Sequence, residues 1–421
     1  MLILTVLGMA ALLAISYIAS KTLLFPPALF AGVWLVSLLG LFIADDLFFS
    51  ISGTTYLVFL VGASAFFCGG TTALFLDQLM PNRIGTRRAS ARDPIAIYLA
   101  LDVFFLATLI GLPFYWQQIG KIAGELGDDF ILQNVRMALV ERSNESAPLG
   151  LVGNFAVLAQ FVALAMFYEM DGTWKRAIRM LAAVALSLVY GFLSGTKGGA
   201  VILFLTIFFV SWIKYGQLRI ARMLLTLGLS VLVFGVGILF VNLVYLPMSD
   251  FKVTISILGE SILNYWLGGL VGFDRIVENP NVMESAHPVN RFFLETARSL
   301  GWSGYVPNLH ADFSLVGPSL ESNTYTIYFT YFKEFGWVGT VILMFAIGGL
   351  LTCLQLQSKN GGPKAVIFYA MMCAAITLSF QVEHFFLGLN GYLKAFVFFY
   401  FLFNIVPFVT VEFRRRALSH A

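Results

Sequence analysis

The chain has 421 residues, of which 59% are hydrophobic and 12% are charged. No soluble domain needs that much apolar surface, so the composition excludes a soluble globular protein and predicts a membrane protein. The formal charge of +3 is small, so we predict no nucleic-acid partner. The positions of the charges along the chain are more informative than their sum.

Apolar runs of about 18 residues or more predict transmembrane helices. About eleven such runs occur, at 2–20, 24–44, 54–76, 95–116, 150–169, 178–194, 198–214, 221–244, 333–357, 365–384 and 390–411. The first run lacks the basic start of a signal peptide, so we interpret it as a retained span. The predicted fold is all-α: one integral membrane domain over 1–421, with a large outer loop that carries short helices.

Lysine and arginine recur in every second connection between the spans, and this pattern sets the predicted orientation. The basic connections lie at 81–93, 171–179, 214–222 and 357–364 and in the tail after 411. Because basic residues favour cytoplasmic loops, we expect the N-terminus to face outwards and the C-terminus to face the cytoplasm.

Residues 253–273 could overturn this orientation, because they are long enough to span the membrane. A span there would place every later connection on the opposite side. The segment contains Glu260 and Asn264, and its apolar residues recur at roughly helical spacing. We interpret it as an amphipathic or re-entrant helix in the outer interface.

Two outer connections are long in this orientation. Residues 117–149 are mixed and slightly acidic, and residues 245–322 form the largest polar segment. A long ordered loop usually carries function, so we expect the active site in 245–322.

Several motifs of soluble enzymes are missing from the sequence. It has no Walker spacing, no cluster of histidine and cysteine with metal-ligand spacing, and no Gly-x-Ser-x-Gly motif. Nucleotide-driven and zinc-dependent chemistry therefore have no support, and we predict neither a metal nor a cofactor.

A lysine lies in a turn of small residues between two apolar runs, in the sequence LSGTKGGA at 193–200. Lys197 would begin the seventh span, where unpaired N–H groups and the helix dipole favour an anion. Its glycine neighbours let a ligand approach the backbone, so the turn suits a phosphate group. Alternatively, Lys197 only extends to the membrane interface, as lysines near helix ends commonly do.

Three arginines lie close together in the large outer loop, at Arg275, Arg291 and Arg298. Arg291, Glu295 and Arg298 have helical spacing and could share one face. A planar guanidinium matches phosphate oxygens, so these arginines could clamp a diphosphate. The alternative is a solvated helix with ordinary ion pairs.

The segment after residue 300 mixes glycine, proline, aromatic and polar residues. Aromatic faces beside amide and carboxylate groups suit sugar rings, which have apolar faces and hydroxyl rims. The candidate sugar contacts are Trp302, Tyr305, Asn323 and Tyr325. Asn323 could instead cap the next helix.

Three residues are candidates for a catalytic base. His310 ranks first because Asp312 could orient its ring, and Glu321 and Asp274 follow. The alternative for His310 is a bystander role, which is common for a lone histidine in a polar loop.

The sequence ESNTYTIYFTYFKEFGWVG at 321–339 resembles the oligosaccharide repeat-unit polymerases, also called O-antigen polymerases. LSGTKGGAVILFL is similar to that family's small-residue motif at the outer end of a central span. The layout of many spans with one dominant outer loop also matches over most of the chain. One departure is Lys197, which stands where the family more often has arginine.

The resemblance implies a metal-independent, GT-C-type glycosyltransferase in the bacterial inner membrane, with its N-terminus in the periplasm. It would pass a polyprenyl-diphosphate-linked glycan to another lipid-linked repeat unit. Lys197, Arg275, Arg291 and Arg298 would neutralise the diphosphate. A flippase and a chain-length regulator would be partners.

Two other functions stay open. A ligase would move the same donor to a lipid A core or a protein and would need nearly the same site. A transporter of lipid-linked glycans or solutes would place charged or broken-helix sites near the middle of the membrane.

Overall fold

A computed structural model describes most of the chain. The described residues are 1–80, 93–124, 149–194, 198–216, 228, 229, 232, 235, 251–279, 288–302, 304, 313–360, 362–410 and 412. Helices α1 to α7 are Leu2–Ser20, Pro26–Ile43, Gly53–Leu79, Pro94–Gly124, Gly153–Glu169, Trp174–Leu193 and Gly198–Tyr215. Helices α8 to α12 are Phe251–Glu278, Pro288–Ser299, Ile327–Asn360, Pro363–Thr377 and Leu389–Tyr400.

The strands of the described residues form one short hairpin. Strands β1 (Ser314–Leu315) and β2 (Glu321–Ser322) pair antiparallel, and Ser314 lies opposite Ser322. Nine helices of the described residues are long and apolar enough to cross a membrane. The prediction of an all-α, polytopic membrane protein is therefore confirmed.

Two of the eleven predicted spans are not among these nine helices. The span at 221–244 lies almost entirely outside the described residues. The span at 365–384 is wrong in its second half, because α11 ends at Thr377 and is only 15 residues long. Its consecutive residues from Tyr369 to Ile376 are buried, which is typical of a short helix packed inside a protein.

The interfacial segment predicted at 253–273 is part of the 28-residue helix α8, which is not among the nine. Its second half is packed against protein, since Leu267, Leu270 and Phe273 are fully buried. Trp266, which lies in the same half, donates its indole N–H to the Ser37 hydroxyl at 3.2 Å.

The chain folds into two compact units. Unit 1 consists of Met1–Gly85, Leu246–Lys359 and Met372–Leu389, and unit 2 consists of Thr86–Tyr245, Asn360–Met371 and Asn390–Ala421. Each unit has its own aromatic and aliphatic core. The rings of Trp34, Phe59 and Tyr328 pack together in tilted and edge-on contacts in unit 1, and Tyr115 packs edge-on against Tyr190 in unit 2.

Helices α3 and α10 of unit 1 touch backbone to backbone. A Cβ atom on Gly69 would lie 1.9 Å from the Phe345 carbonyl oxygen, and one on Gly348 would lie 2.1 Å from that of Phe66. Real atoms do not approach so closely, so only glycine fits at either position. Glycines of this kind let membrane helices gain packing contacts that larger residues would prevent.

One end of unit 1 gathers segments that are distant in the sequence. We call it the hairpin end: it comprises the α2–α3 connection at 44–52, the second half of α8, the β1–β2 hairpin and the turn at 378–388. The Phe49 N–H donates to the Val316 carbonyl at 2.9 Å, and the Ile327 N–H donates to the Ser379 carbonyl at 2.8 Å.

Two polar pairs connect helices of unit 2. Asn154 near the start of α5 accepts a hydrogen bond from Lys394 near the start of α12. Within the spans, Arg179 of α6 forms an ion pair with Asp102 of α4 at 2.9 Å.

The α3–α10 contact predicts a strong effect of a single methyl group. Gly69→Ala should lower the free energy of unfolding by about 3 kcal/mol, because the rigid Phe345 backbone cannot make room. Unfolding of the purified protein in mixed detergents measures this change. Gly120→Ala is the control, since Gly120 lies in helix α4 and an added methyl group there would meet no atom within 4 Å. An unchanged Gly69→Ala protein would contradict the contact.

Candidate functional site

The arginines of the large outer loop lie on or beside two helices of unit 1. Arg291 is in the first turn of α9 and is only 5% exposed, and its Nε donates to Glu295 at 2.8 Å. Arg275 in the last turn of α8 and Arg298 in the last turn of α9 are exposed. The predicted helical spacing is thus correct, and the ion pair expected as the alternative is present between Arg291 and Glu295.

Helix α9 is docked on the first part of α10. The carboxylate of Glu334 lies against the backbone N–H of Val289, at the start of α9. Helix N-termini favour a negative charge, so this contact stabilises both groups. Helix α10 breaks just after Glu334, at Gly336, whose φ of 61° and ψ of −156° suit glycine. The break sets the direction of the span that follows.

A second buried carboxylate closes the turn between α11 and α12. Glu383 is 1% exposed, and its oxygens accept from the backbone N–H groups of Phe385, Phe386 and Leu387 at 2.6–3.1 Å. The Tyr331 hydroxyl of α10 also donates to it at 2.9 Å. Burial raises the pKa of the Glu383 carboxyl, and the donors oppose that rise. Its electrostatic field reaches Glu334.

His384 follows in the same turn. Its Nε2 atom is buried and has no hydrogen-bond partner among the described residues. Burial lowers the pKa of the His384 imidazole from 6.5 to about 4. The ring is therefore neutral at physiological pH, because a charged imidazolium would be desolvated there.

Asp274, one of the predicted bases, connects α8 to α3. Its Oδ1 accepts from the Ser52 N–H at 3.0 Å and from the Ser52 hydroxyl at 2.6 Å. Ser52 is the N-cap of α3, so the carboxylate is held at the start of that helix. Asp274 is buried, and this arrangement supports a positioning role. The prediction that it acts as a base stays untested.

Three of the predicted residues lie on the hairpin or directly after it. Glu321 is exposed on β2, and its backbone carbonyl accepts from the Asn264 side chain at 2.8 Å. Tyr325 is buried and donates its hydroxyl to Ser314 at 3.2 Å. Asn323 is half-buried and lies four residues before α10 begins at Ile327, so it does not occupy that helix's cap.

The end of α9 exposes apolar side chains next to Arg298. Leu300 is 82% exposed and Trp302 is 44% exposed, and Phe293 is exposed earlier on the helix. The Trp302 N–H donates to the Ala297 carbonyl at 3.0 Å, which folds the chain back onto the helix end. Exposed aromatic and aliphatic groups beside a cation suit the membrane interface.

The remaining predicted site residues, Lys197, Tyr305 and His310, lie outside the described residues. On the two sides of Lys197, α6 ends at Leu193 and α7 begins at Gly198.

The structure adds residues to the site that sequence reasoning missed. Glu334, Glu383, Tyr331 and His384 are not among the site residues that the sequence predicted. The signal for Glu383 was an acid and a histidine before two phenylalanines, QVEHFF, in an otherwise apolar run. Such a charge is costly in a span and marks either a function or a structural cap.

No group of three or more metal-ligating side chains occurs among the described residues. The chain matches no family model, no curated protein and no solved structure. The fold places the protein in the class of all-α polytopic membrane proteins, and the family resemblance stays a prediction.

Asp274 should behave as a cap when it is mutated. Asp274→Ala and Ser52→Ala should each lower the free energy of unfolding by about 1–2 kcal/mol, because each leaves the start of α3 without a partner. The double variant should lose less free energy of unfolding than the two single variants together, because both substitutions remove the same Asp274–Ser52 interaction. If Asp274→Ala retains full stability but loses activity, the residue is a base instead.

His384 predicts a dependence of stability on pH. Because the folded protein holds the imidazole neutral, the contribution is fully present above pH 6.5 and is lost as the pH falls towards about 4. The wild-type protein should therefore lose up to about 3 kcal/mol of stability over this pH range through His384, and the His384→Gln protein should not show this loss. Unfolding measured for both proteins between pH about 7 and about 4.5 gives the difference. Parallel curves of unfolding free energy against pH would contradict this, because His384 would then be protonated as easily in the folded protein as in the unfolded chain.

Proposed function

We propose that the protein is a membrane glycosyltransferase that polymerises polyprenyl-diphosphate-linked oligosaccharide repeat units. The observation that carries the proposal is the set of arginines at α8 and α9. Arg291 is buried with its charge balanced by Glu295, while Arg275 and Arg298 stay accessible. Such a combination suits an anionic group that approaches from the membrane surface.

The donor's diphosphate is the leaving group in the proposed reaction. The bond between the sugar C1 and the diphosphate oxygen breaks, and its electron pair stays on the diphosphate. The acceptor hydroxyl forms the new bond to C1 and gives its proton to a base. Arg275, Arg291, Arg298 and Lys197 stabilise the developing charge, which is the largest effect these residues can supply. No nucleotide is needed, because the donor already stores the energy.

Glu321 is the base candidate with the most accessible carboxylate among the described residues. Its side chain is exposed at the hairpin, whereas Asp274 is buried and occupied by Ser52. His310 stays in the proposal as the first-ranked base on sequence grounds. Trp302 and Asn323 are the described sugar contacts with exposed or half-exposed side chains. Tyr325 is buried and supports the hairpin from behind.

The proposed setting is the outer face of the bacterial inner membrane. Two lipid-linked substrates held there would meet with a large gain in effective concentration. A flippase would supply the donor, and a chain-length regulator would limit the product.

A transporter is the second candidate, and one observation favours it. The short helix α11 gives way to a non-helical turn around the buried Glu383. Interrupted helices and buried acids are common in transporters. In Glu383, however, both oxygens are saturated by the turn and Tyr331, which leaves little capacity for a substrate.

Deletion of the gene should separate the candidate functions through the cell's glycolipids. A polymerase predicts loss of long glycans, with single repeat units still attached to the outer surface. Retained lipid-linked polymer that never reaches its final acceptor would indicate a ligase. Repeat units trapped inside the cell would indicate a transporter.

Single variants should test the arginines directly. Arg275→Ala and Arg298→Ala remove exposed side chains, so the protein should fold while polymer synthesis slows about ten- to a hundred-fold. Arg291→Ala and Lys197→Ala should abolish polymer, and Lys197→Arg should retain activity. Lys21→Ala removes an exposed lysine at the end of α1 and is the control. Normal glycan length in Arg291→Ala and Lys197→Ala at normal protein levels would reject the clamp.

A further inference from the structure

A second potential binding site lies in unit 2, in a groove between α4, α5 and α12. The groove has a volume of about 610 Å³, which is within the usual range of ligand pockets. Its walls are almost entirely apolar, with Phe104, Phe161, Phe398 and Phe401 at their centre. The rings touch, since the Phe104 and Phe398 centroids are 5.1 Å apart.

Two polar residues line this groove, and they meet each other. Lys394 Nζ donates to Asn154 Oδ1 at 2.9 Å. Lys394 lies five residues after Leu389, inside the apolar span Leu389–Thr410. That position is about 8 Å along the helix from the start of the span. A charge at such a depth is costly unless an anion or another polar group compensates for it.

Within the described part of the groove, no acidic side chain neutralises this charge. Asn154 is neutral, and the described residues that line the groove include no acidic side chain. Another cation inside a span of unit 2 shows what compensation looks like, because Arg179 pairs with Asp102 at 2.9 Å. Lys394 thus provides a positive charge at the mouth of an apolar groove.

The charged and apolar parts of the groove are arranged in the same order as those of a lipid molecule. Helices α5 and α12 run in the same direction from the Asn154–Lys394 pair, because further along them Phe161 packs against Phe398 with centroids 5.8 Å apart. The cation therefore lies at the end where both helices begin, and the phenylalanines lie deeper. An anionic headgroup and an apolar tail would match this order.

We propose that the groove binds an anionic glycerophospholipid, with the lipid phosphate on the Lys394 ammonium and one acyl chain along the phenylalanines. The groove opens sideways, since Leu151 is 86% exposed and Val397 is 66% exposed. A ligand therefore enters from the surrounding bilayer, where phospholipids are the most abundant anionic amphiphiles. The binding does not depend on the proposed glycosyl transfer.

Native mass spectrometry of the full-length protein in detergent tests this binding. The probes are phosphatidylglycerol and phosphatidylcholine with the same acyl chains. The wild-type protein should retain phosphatidylglycerol about five-fold better, which is the effect of one lysine near an anionic lipid. Lys394→Gln should remove this preference and Lys394→Arg should keep it. Lys175→Gln, which removes an exposed lysine of α6, should also keep it.

Val397→Trp tests the groove separately from the charge. A larger ring should fill the space beside Phe398 and Phe401, and it should lower retention of both lipids while Lys394 is intact. Equal retention of the two lipids by the wild-type protein, or an unchanged preference in Lys394→Gln, would overturn the proposal. Unchanged retention in Val397→Trp would overturn the role of the groove. Displacement of phosphatidylglycerol by a far lower concentration of a polyprenyl phosphate would assign the groove to that lipid instead.

Discussion

The backbone contact between α3 and α10 is the constraint on which the hairpin end of unit 1 depends. Gly69 and Gly348 let the two helices approach until main-chain atoms touch. Nearer the hairpin end the same pair of helices is joined by Tyr328, whose hydroxyl donates to the Phe59 carbonyl at 3.1 Å. With α3 and α10 fixed in this way, Ser52, Tyr331 and Glu334 are held at defined places. Asp274 then meets Ser52, Glu383 meets Tyr331, and Glu334 itself lies beside the start of α9.

Carboxylates at the starts of helices and turns organise the hairpin end. Asp274 holds the start of α3, Glu334 lies at the start of α9, and Glu383 gathers the N–H groups of 385–387. Asp274 and Glu383 satisfy donors that a helix or turn start leaves unpaired, and all three carboxylates suit the local positive potential. The acids of this region are therefore mostly structural. Glu321, Arg275 and Arg298 have exposed side chains, and the proposed function assigns them to the substrate together with the buried Arg291.

Charges within the membrane spans follow a different rule. Arg179 and Asp102 neutralise each other inside unit 2, whereas Lys394 donates to the neutral amide of Asn154 and meets no acid among the described residues that line its groove. A lipid phosphate would compensate the charge of a cation in such an apolar groove. The two proposed sites thus use cations in the same way, to bind phosphate groups that the membrane presents.

The sequence by itself determined the class of the protein and most of its helices, because spanning a membrane requires long apolar runs that composition reveals. It also placed Arg291 and Glu295 on one helix through their spacing. Only the tertiary structure decided that α11 ends at Thr377, that Trp266 packs inward, and that Asp274 caps α3. These outcomes depend on partners far away in the chain, such as Ser37 and Ser52, and no local pattern specifies which distant group will satisfy a buried polar atom.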